Sequence, residues 1–161
     1  MFKLDHHGDL EAVVTELSRP NGIAFSRDGK RLYVTNTADN PDKPEENAPE
    51  SVTDSAGRHH IWAFDLDADN SVKTGSGRPF ACPETGVPDR ITVDEEDRVW
   101  SSGGDGVSVF DSDGCLIAHA PVPEVVSNLC FGGEDGQDLF ITATTSLYRL
   151  RTNTREPWRF A

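Results

Sequence analysis

Apolar residues along this chain come in short runs that alternate with polar ones, and helical spacing is hard to find. Alternation of this kind, broken by Asp-Gly, Gly-Gly and Pro signals, predicts many short antiparallel strands and an all-β protein. Strands are expected over 12–16, 22–26, 31–36, 60–66, 91–94, 99–102, 107–111, 116–121, 129–132, 139–144 and 146–151. Asp28-Gly29, Asp113-Gly114 and Asp135-Gly136 tolerate positive φ and are expected to close tight turns. One stretch breaks the pattern. Residues 39–58 hold Pro41, Pro44, Pro49 and six acidic residues with almost no large apolar side chain, which predicts a long acidic surface loop between two strands of one sheet.

Three segments then line up as an internal repeat. Pro20-Asn21-Gly22-Ile23-Ala24-Phe25 leads through Asp28-Gly29 to Leu32-Tyr33-Val34. Pro88-Asp89-Arg90-Ile91-Thr92-Val93 leads through Glu96-Asp97 to Val99-Trp100, and Ser127-Asn128-Leu129-Cys130-Phe131 leads through Asp135-Gly136 to Leu139-Phe140-Ile141. A further strand follows each. Asp89 and Asn128 are 39 positions apart, and removing the acidic loop brings the 68 positions from Asn21 to Asp89 close to that spacing. A period of about 40–45 residues with about four strands is the signature of β-propeller blades. The recurring aromatics Phe25, Tyr33, Trp62, Phe64, Trp100, Phe110, Phe131, Phe140 and Tyr148 are expected in the packing between sheets.

The repeat also brings candidate chemistry. The first strand of a blade lines the central channel, so Asn21, Asp89 and Asn128 fall at nearly one repeat position and would converge there. Oxygen donors with a carboxylate among them suit a hard divalent cation; the same residue types also open strands after turns simply as local caps. His6-His7 and His59-His60 are adjacent pairs whose side chains diverge on a strand, and with His119 they are read as surface residues. Residues 101–106 are Gly-rich but precede a strand, so they read as a hairpin turn and not a phosphate loop. No Gly-x-Ser-x-Gly segment is present to suggest covalent catalysis.

Charge narrows the partners. The 161 residues carry 15 Lys+Arg and 28 Asp+Glu, a net −13, which argues against nucleic-acid and anionic-membrane binding. Asp outnumbers Glu 17 to 11 and Arg outnumbers Lys 11 to 4, a balance that suits either a high-salt environment or ordinary solubility with many Asp turns. Three cysteines, Cys82, Cys115 and Cys130, match no zinc spacing; Cys130, inside an apolar run, is expected buried, and a reducing compartment fits. Residues 1–10 show no basic-then-apolar leader pattern, so a cytoplasmic location is expected.

The motifs around Pro20-Asn21-Gly22 and Leu32-Tyr33-Val34-Thr35-Asn36-Thr37, with Gly86-Val87-Pro88-Asp89, Val126-Ser127-Asn128-Leu129 and Leu139-Phe140-Ile141-Thr142, resemble the gluconolactonase/regucalcin (SMP-30-like) family over most of the chain. The resemblance implies a six-bladed β-propeller of which this chain covers the C-terminal half, about three to four blades. It further implies metal-dependent hydrolysis of sugar lactones or related small cyclic esters, with one divalent ion: Ca²⁺ first, with Zn²⁺, Mg²⁺ or Mn²⁺ as alternatives. It assigns Asn21 and Asp89 as metal ligands, Asp89 also as the proton-transfer residue, and Asn128 as channel-lining. Two departures stand out. Arg90 follows Asp89 where the family has Gly, and the family's N-terminal Glu-Gly-Pro segment is missing. Residues 1–161 therefore read as one partial propeller. A non-enzymatic half-propeller module, closed by self-association or by an N-terminal half, and an inactive fragment are the alternative readings.

Overall fold

The computed structural model describes residues 1–17, 19–37 and 60–157. These form thirteen strands: β1 (Phe2–Leu4), β2 (Leu10–Ala12), β3 (Pro20–Phe25), β4 (Arg31–Asn36), β5 (His60–Asp65), β6 (Arg78–Ala81), β7 (Ile91–Val93), β8 (Val99–Ser102), β9 (Gly106–Phe110), β10 (Leu116–Pro121), β11 (Val126–Gly132), β12 (Asp138–Ala143) and β13 (Leu147–Arg151). They pair antiparallel in chain order as β3-β4-β5-β6, β7-β8-β9-β10 and β11-β12-β13, with β1-β2 as a small separate sheet. The three larger sheets are propeller blades, two of four strands and one of three. Their first strands lie side by side, with β7 between β3 and β11.

The turns between strands use one device repeatedly. Asp28, Asp94, Asp111 and Asp135 each accept a backbone N–H two residues ahead through Oδ1. Gly29, Gly114 and Gly136 take the positive φ that the Asp-Gly pairs predict; at the fourth turn Asp97 takes it, at 62°.

Each core is a seam between neighbouring sheets. Strand alternation splits Leu32-Tyr33-Val34 between two of them. Leu32 and Val34, with Phe64, meet Val14 and Leu17 in a first seam. Tyr33 faces the other way and joins Ile61, Ala63, Ile91, Val93, Val99 and Phe110 in a second seam between the first and second blades. Trp100, Val107, Val109, Leu129, Phe131, Leu139 and Ile141 fill a third, between the second and third blades.

Several sequence expectations shift. Residues 13–16 leave the sheet after the short strand β2, because Val14 and Leu17 turn into the first seam. The strands β1 and β6 were not expected. Pro79 obscures β6, and it is tolerated because β6 is an edge strand. Phe25 is not in the core: it is the last residue of β3, the edge strand of its sheet, opposite Leu32, and is 47% exposed. Cys130 is also exposed, since Leu129 and Phe131 take the seam side of β11 and alternation turns Cys130 outward. The acidic loop expected at 39–58 and His59 lie outside the described residues. Among the described residues, no helix is long and apolar enough to cross a membrane.

Candidate functional site

Antiparallel pairing puts the starts of β3, β7 and β11 at one end of the molecule, here called the upper end, together with the turns 103–105 and 144–146. Asn21 lies in β3 of the first blade, and Asp89 lies just before β7 of the second. The structure brings them into contact: Asn21 Nδ2 donates to Asp89 Oδ1 at 3.0 Å.

Two features of the chain make this contact possible. Gly22 packs against the neighbouring blade so closely that a Cβ there would lie 2.5 Å from the Asp89 carbonyl oxygen and 2.9 Å from Arg90 Cα. Ser102, at the end of β8, accepts the Asp89 and Arg90 backbone N–H groups through one Oγ, each at 3.0 Å. The carboxylate is therefore held from its own blade and met from the next.

Burial pushes the Asp89 carboxyl above the ordinary aspartate value, and the Asn21 bond partly opposes that rise. Arg90 is exposed and bonds to Ser102 through its backbone N–H, so a cation beside Asp89 plays no part in the shift.

Asn128 is placed differently. It is exposed on β11, next to a register shift between Val126 and Asn128, and its Oδ1 accepts the N–H of Leu129 at 2.8 Å. The carboxylate feature of that blade is Glu124, which sequence reasoning missed. It accepts Thr145 N (2.7 Å), Thr145 Oγ1 (3.0 Å), Ser146 Oγ (2.5 Å) and Tyr148 OH (2.7 Å). These donors hold its pKa down to about 2. Ser102 was also missed. The signal for it was available: a serine ending an apolar strand has to find a partner once buried. Of the histidines, His119 lies 3.7 Å from Asp105 through Nε2 and 3.5 Å from Ser108 Oγ through Nδ1, on the outer strand pair β9–β10. Gly103 N bonds Gly106 O across the Gly-rich hairpin turn.

The Asn21–Asp89 pair can do two things chemically. It offers one carboxamide oxygen and one carboxylate to a hard cation, and it offers one carboxylate oxygen, Oδ2, for proton transfer. The donor types fit such a cation but the number does not, since Ca²⁺ takes six to eight oxygens. Among the described residues no group of three or more His, Cys, Asp or Glu is placed to hold a metal.

Comparison with known proteins agrees with this architecture. Residues 46–145 match the family model described as SMP-30/Gluconolactonase/LRE-like region. The gluconolactonase of Zymomonas mobilis is 33% identical over 96% of this chain and 40% of its own length. The pentonolactonase XacC of Haloferax volcanii is 32% identical over 88% of this chain and 44% of its own. A solved gluconolactonase of Xanthomonas campestris superposes with a TM-score of 0.72 at 35% identity, over 93% of this chain and 43% of that one. The chain thus spans less than half the length of these three relatives. With three blades packed side by side and a match through most of its length, this chain belongs to the SMP-30/gluconolactonase/LRE-like family.

Proposed function

We propose that the Asn21–Asp89 pair is part of the site of a metal-dependent hydrolase of sugar lactones or related small cyclic esters. The observation that carries this reading is the 3.0 Å contact between a carboxamide and a half-buried carboxylate from adjacent blades. The lactonase names of the relatives supply the substrate class. Asn21 and Asp89 would hold the ion as two members of a larger oxygen set, with Ca²⁺ as the first choice and Zn²⁺, Mg²⁺ or Mn²⁺ as alternatives. For Asn21 this requires its Oδ1, and not its Nδ2, to face the ion. When bound, such an ion polarises the lactone carbonyl and stabilises negative charge developing on its oxygen.

The chain's own residues then supply the proton handling. Asp89 Oδ2 takes a proton from a water molecule as its oxygen bonds to the carbonyl carbon. As the ring C–O bond breaks, the same Oδ2 returns that proton to the departing alkoxide, and the product is the open hydroxy acid. The upward push of burial favours a carboxyl that both accepts and gives up a proton. Asn128, turned back on its own backbone, lines the channel without entering this exchange.

Hydrolysis of glucono-δ-lactone by the 161-residue chain, followed by acid release with and without Ca²⁺, tests the reading. A Ca²⁺-stimulated rate above spontaneous opening is expected. A rate equal to spontaneous opening overturns the reading for this chain.

A second reading, a non-enzymatic assembly module, has its own support. The third blade has three strands where its neighbours have four, so β13 is paired on one side only among the described residues. Beside it lies a cleft of about 510 Å³ lined by residues that include Trp100, His119 and Leu150. Phe2, Leu4 and Leu10 at one end of the row of sheets, and Val125 and Leu147 at the other, are exposed. Open edges and apolar faces of this kind invite closure by a second copy or by an N-terminal half. Light scattering discriminates, because this reading expects a dimer and a monomer contradicts self-closure.

A further inference from the structure

Thr35 is the fifth residue of β4 and is completely buried. Alternation puts it on the same face as Tyr33, toward the second seam, and its register partner is Ile61. It stands at the upper end of that seam, where apolar packing gives way to the Asn21–Asp89 pair. Its hydroxyl serves two backbones in different blades. Gly22 N donates to Thr35 Oγ1 at 2.6 Å, and Thr35 Oγ1 lies 3.1 Å from Asp89 O. A hydroxyl has a single proton. Since the Gly22 N–H occupies an acceptor site, that proton must point to the Asp89 carbonyl. The result is a directed chain: Gly22 N–H to Thr35 O–H to the Asp89 carbonyl.

This chain runs parallel to the side-chain contact. Asn21 precedes Gly22, and Asn21 Nδ2 reaches Asp89 Oδ1; Gly22 reaches Asp89 O through Thr35. Residues 21–22 of one blade are thus fastened to a single residue of the next by two routes, one exposed and one buried. Apolar packing in the seam is non-directional, whereas a buried, satisfied hydroxyl fixes where two backbones meet. The absent side chain of Gly22 permits the approach, and Ser102 Oγ fixes the Asp89 backbone N–H from behind.

We propose that Thr35 is a positioning residue that sets the spacing of Asn21 and Asp89 across the blade boundary, and through it the affinity of this pair for a divalent cation. The cation half of this statement rests on the function proposed above; the spacing half does not.

The experiment combines crystal structures with Ca²⁺ titration by calorimetry on the full chain. Thr35→Val keeps the shape and removes both bonds. It is expected to lengthen the Asn21 Nδ2–Asp89 Oδ1 separation from 3.0 Å to beyond about 3.5 Å. It is also expected to weaken Ca²⁺ binding about tenfold, as loss of an outer-shell support does. Thr35→Ser restores both. Val107→Ala, in the third seam, lowers the melting temperature and moves neither. If Thr35→Val does not fold, Thr35→Cys, whose thiol bonds weakly, shows the same lengthening. An unchanged separation in the Val or Cys variant, or equal losses in Val107→Ala, overturns the proposal. If the wild-type chain takes up no Ca²⁺, the cation reading fails by itself, and the separations in the variant structures alone decide the role of Thr35.

Discussion

Asp89 and Glu124 both stand at the upper end of this molecule, and their surroundings push them in opposite directions. Asp89 lies at the boundary between the first and second blades, is pushed up by burial, and has one side-chain donor, Asn21. Glu124 lies at the start of the third blade and is held down by donors from Thr145, Ser146 and Tyr148, all within that blade. Glu124 has its hydrogen-bonding capacity committed to fastening the connection before β11 to the β12–β13 turn. Among the described residues, Asp89 keeps one carboxylate oxygen, Oδ2, uncommitted. Equivalent places in a repeat therefore diverge according to what the following residue allows. Gly22 lets its strand touch the next blade, whereas Leu129 fills the third seam and Asn128 turns back on its own backbone.

This contrast can be broken from either side. The largest effect is expected from Asp89→Asn, which removes the proton acceptor. Lactone turnover should fall about 10²–10⁴-fold, while Glu124→Gln leaves it near the wild-type rate; initial rates at fixed Ca²⁺ check both. Next are the seams. Leu129→Ala should cost about 2–5 kcal/mol in urea unfolding as a buried leucine, with the Asn21–Asp89 contact intact. Gly22→Ala should cost about 1–3 kcal/mol through overpacking and should separate that pair.

The pH dependence follows with smaller effects of opposite sign. Glu124 moves from an ordinary value of 4.5 to about 2 on folding, so its stabilisation is present above about 4.5 and disappears as the pH falls toward 2. Glu124→Gln should flatten that acid-side loss in urea midpoints. Asp89 is raised, so its protonated form is the one the fold favours. That contribution is present below the ordinary value of 3.8 and is lost as the pH rises through the folded value. Asp89→Asn should therefore be more stable than wild type at neutral pH. The smallest effect is expected from exposed Asn128→Ala, within about 0.5 kcal/mol.

Much of the architecture was legible in the chain, because alternation, Asp-Gly turns and a recurring period all pointed to blades. The strand β4 matches its expected bounds, since every residue from Leu32 to Asn36 is buried and the pattern is unbroken. The strand β6 did not announce itself because Pro79 interrupts it, and β1 because three residues carry little periodicity. For the candidate site, Asn21 and Asp89 were visible as repeat positions. Thr35 and Glu124 were not, because their importance lies in hydrogen bonds between segments that sequence separation conceals: 54 positions for Thr35 to Asp89 and 24 for Glu124 to Tyr148. Asn128 looked equivalent to Asn21 by position, and both strands shift register there; what separates the two is that Asn128 bonds to Leu129 N whereas Asn21 reaches Asp89.

The central claim is that the boundary between the first two blades, and not the start of the third, carries the reactive carboxylate. Calorimetric titration of Ca²⁺ into wild-type protein, Asp89→Asn and Glu124→Gln tests it most directly. The account predicts a binding heat in wild type that persists in Glu124→Gln and vanishes in Asp89→Asn. Heat that persists in Asp89→Asn and vanishes in Glu124→Gln would contradict it.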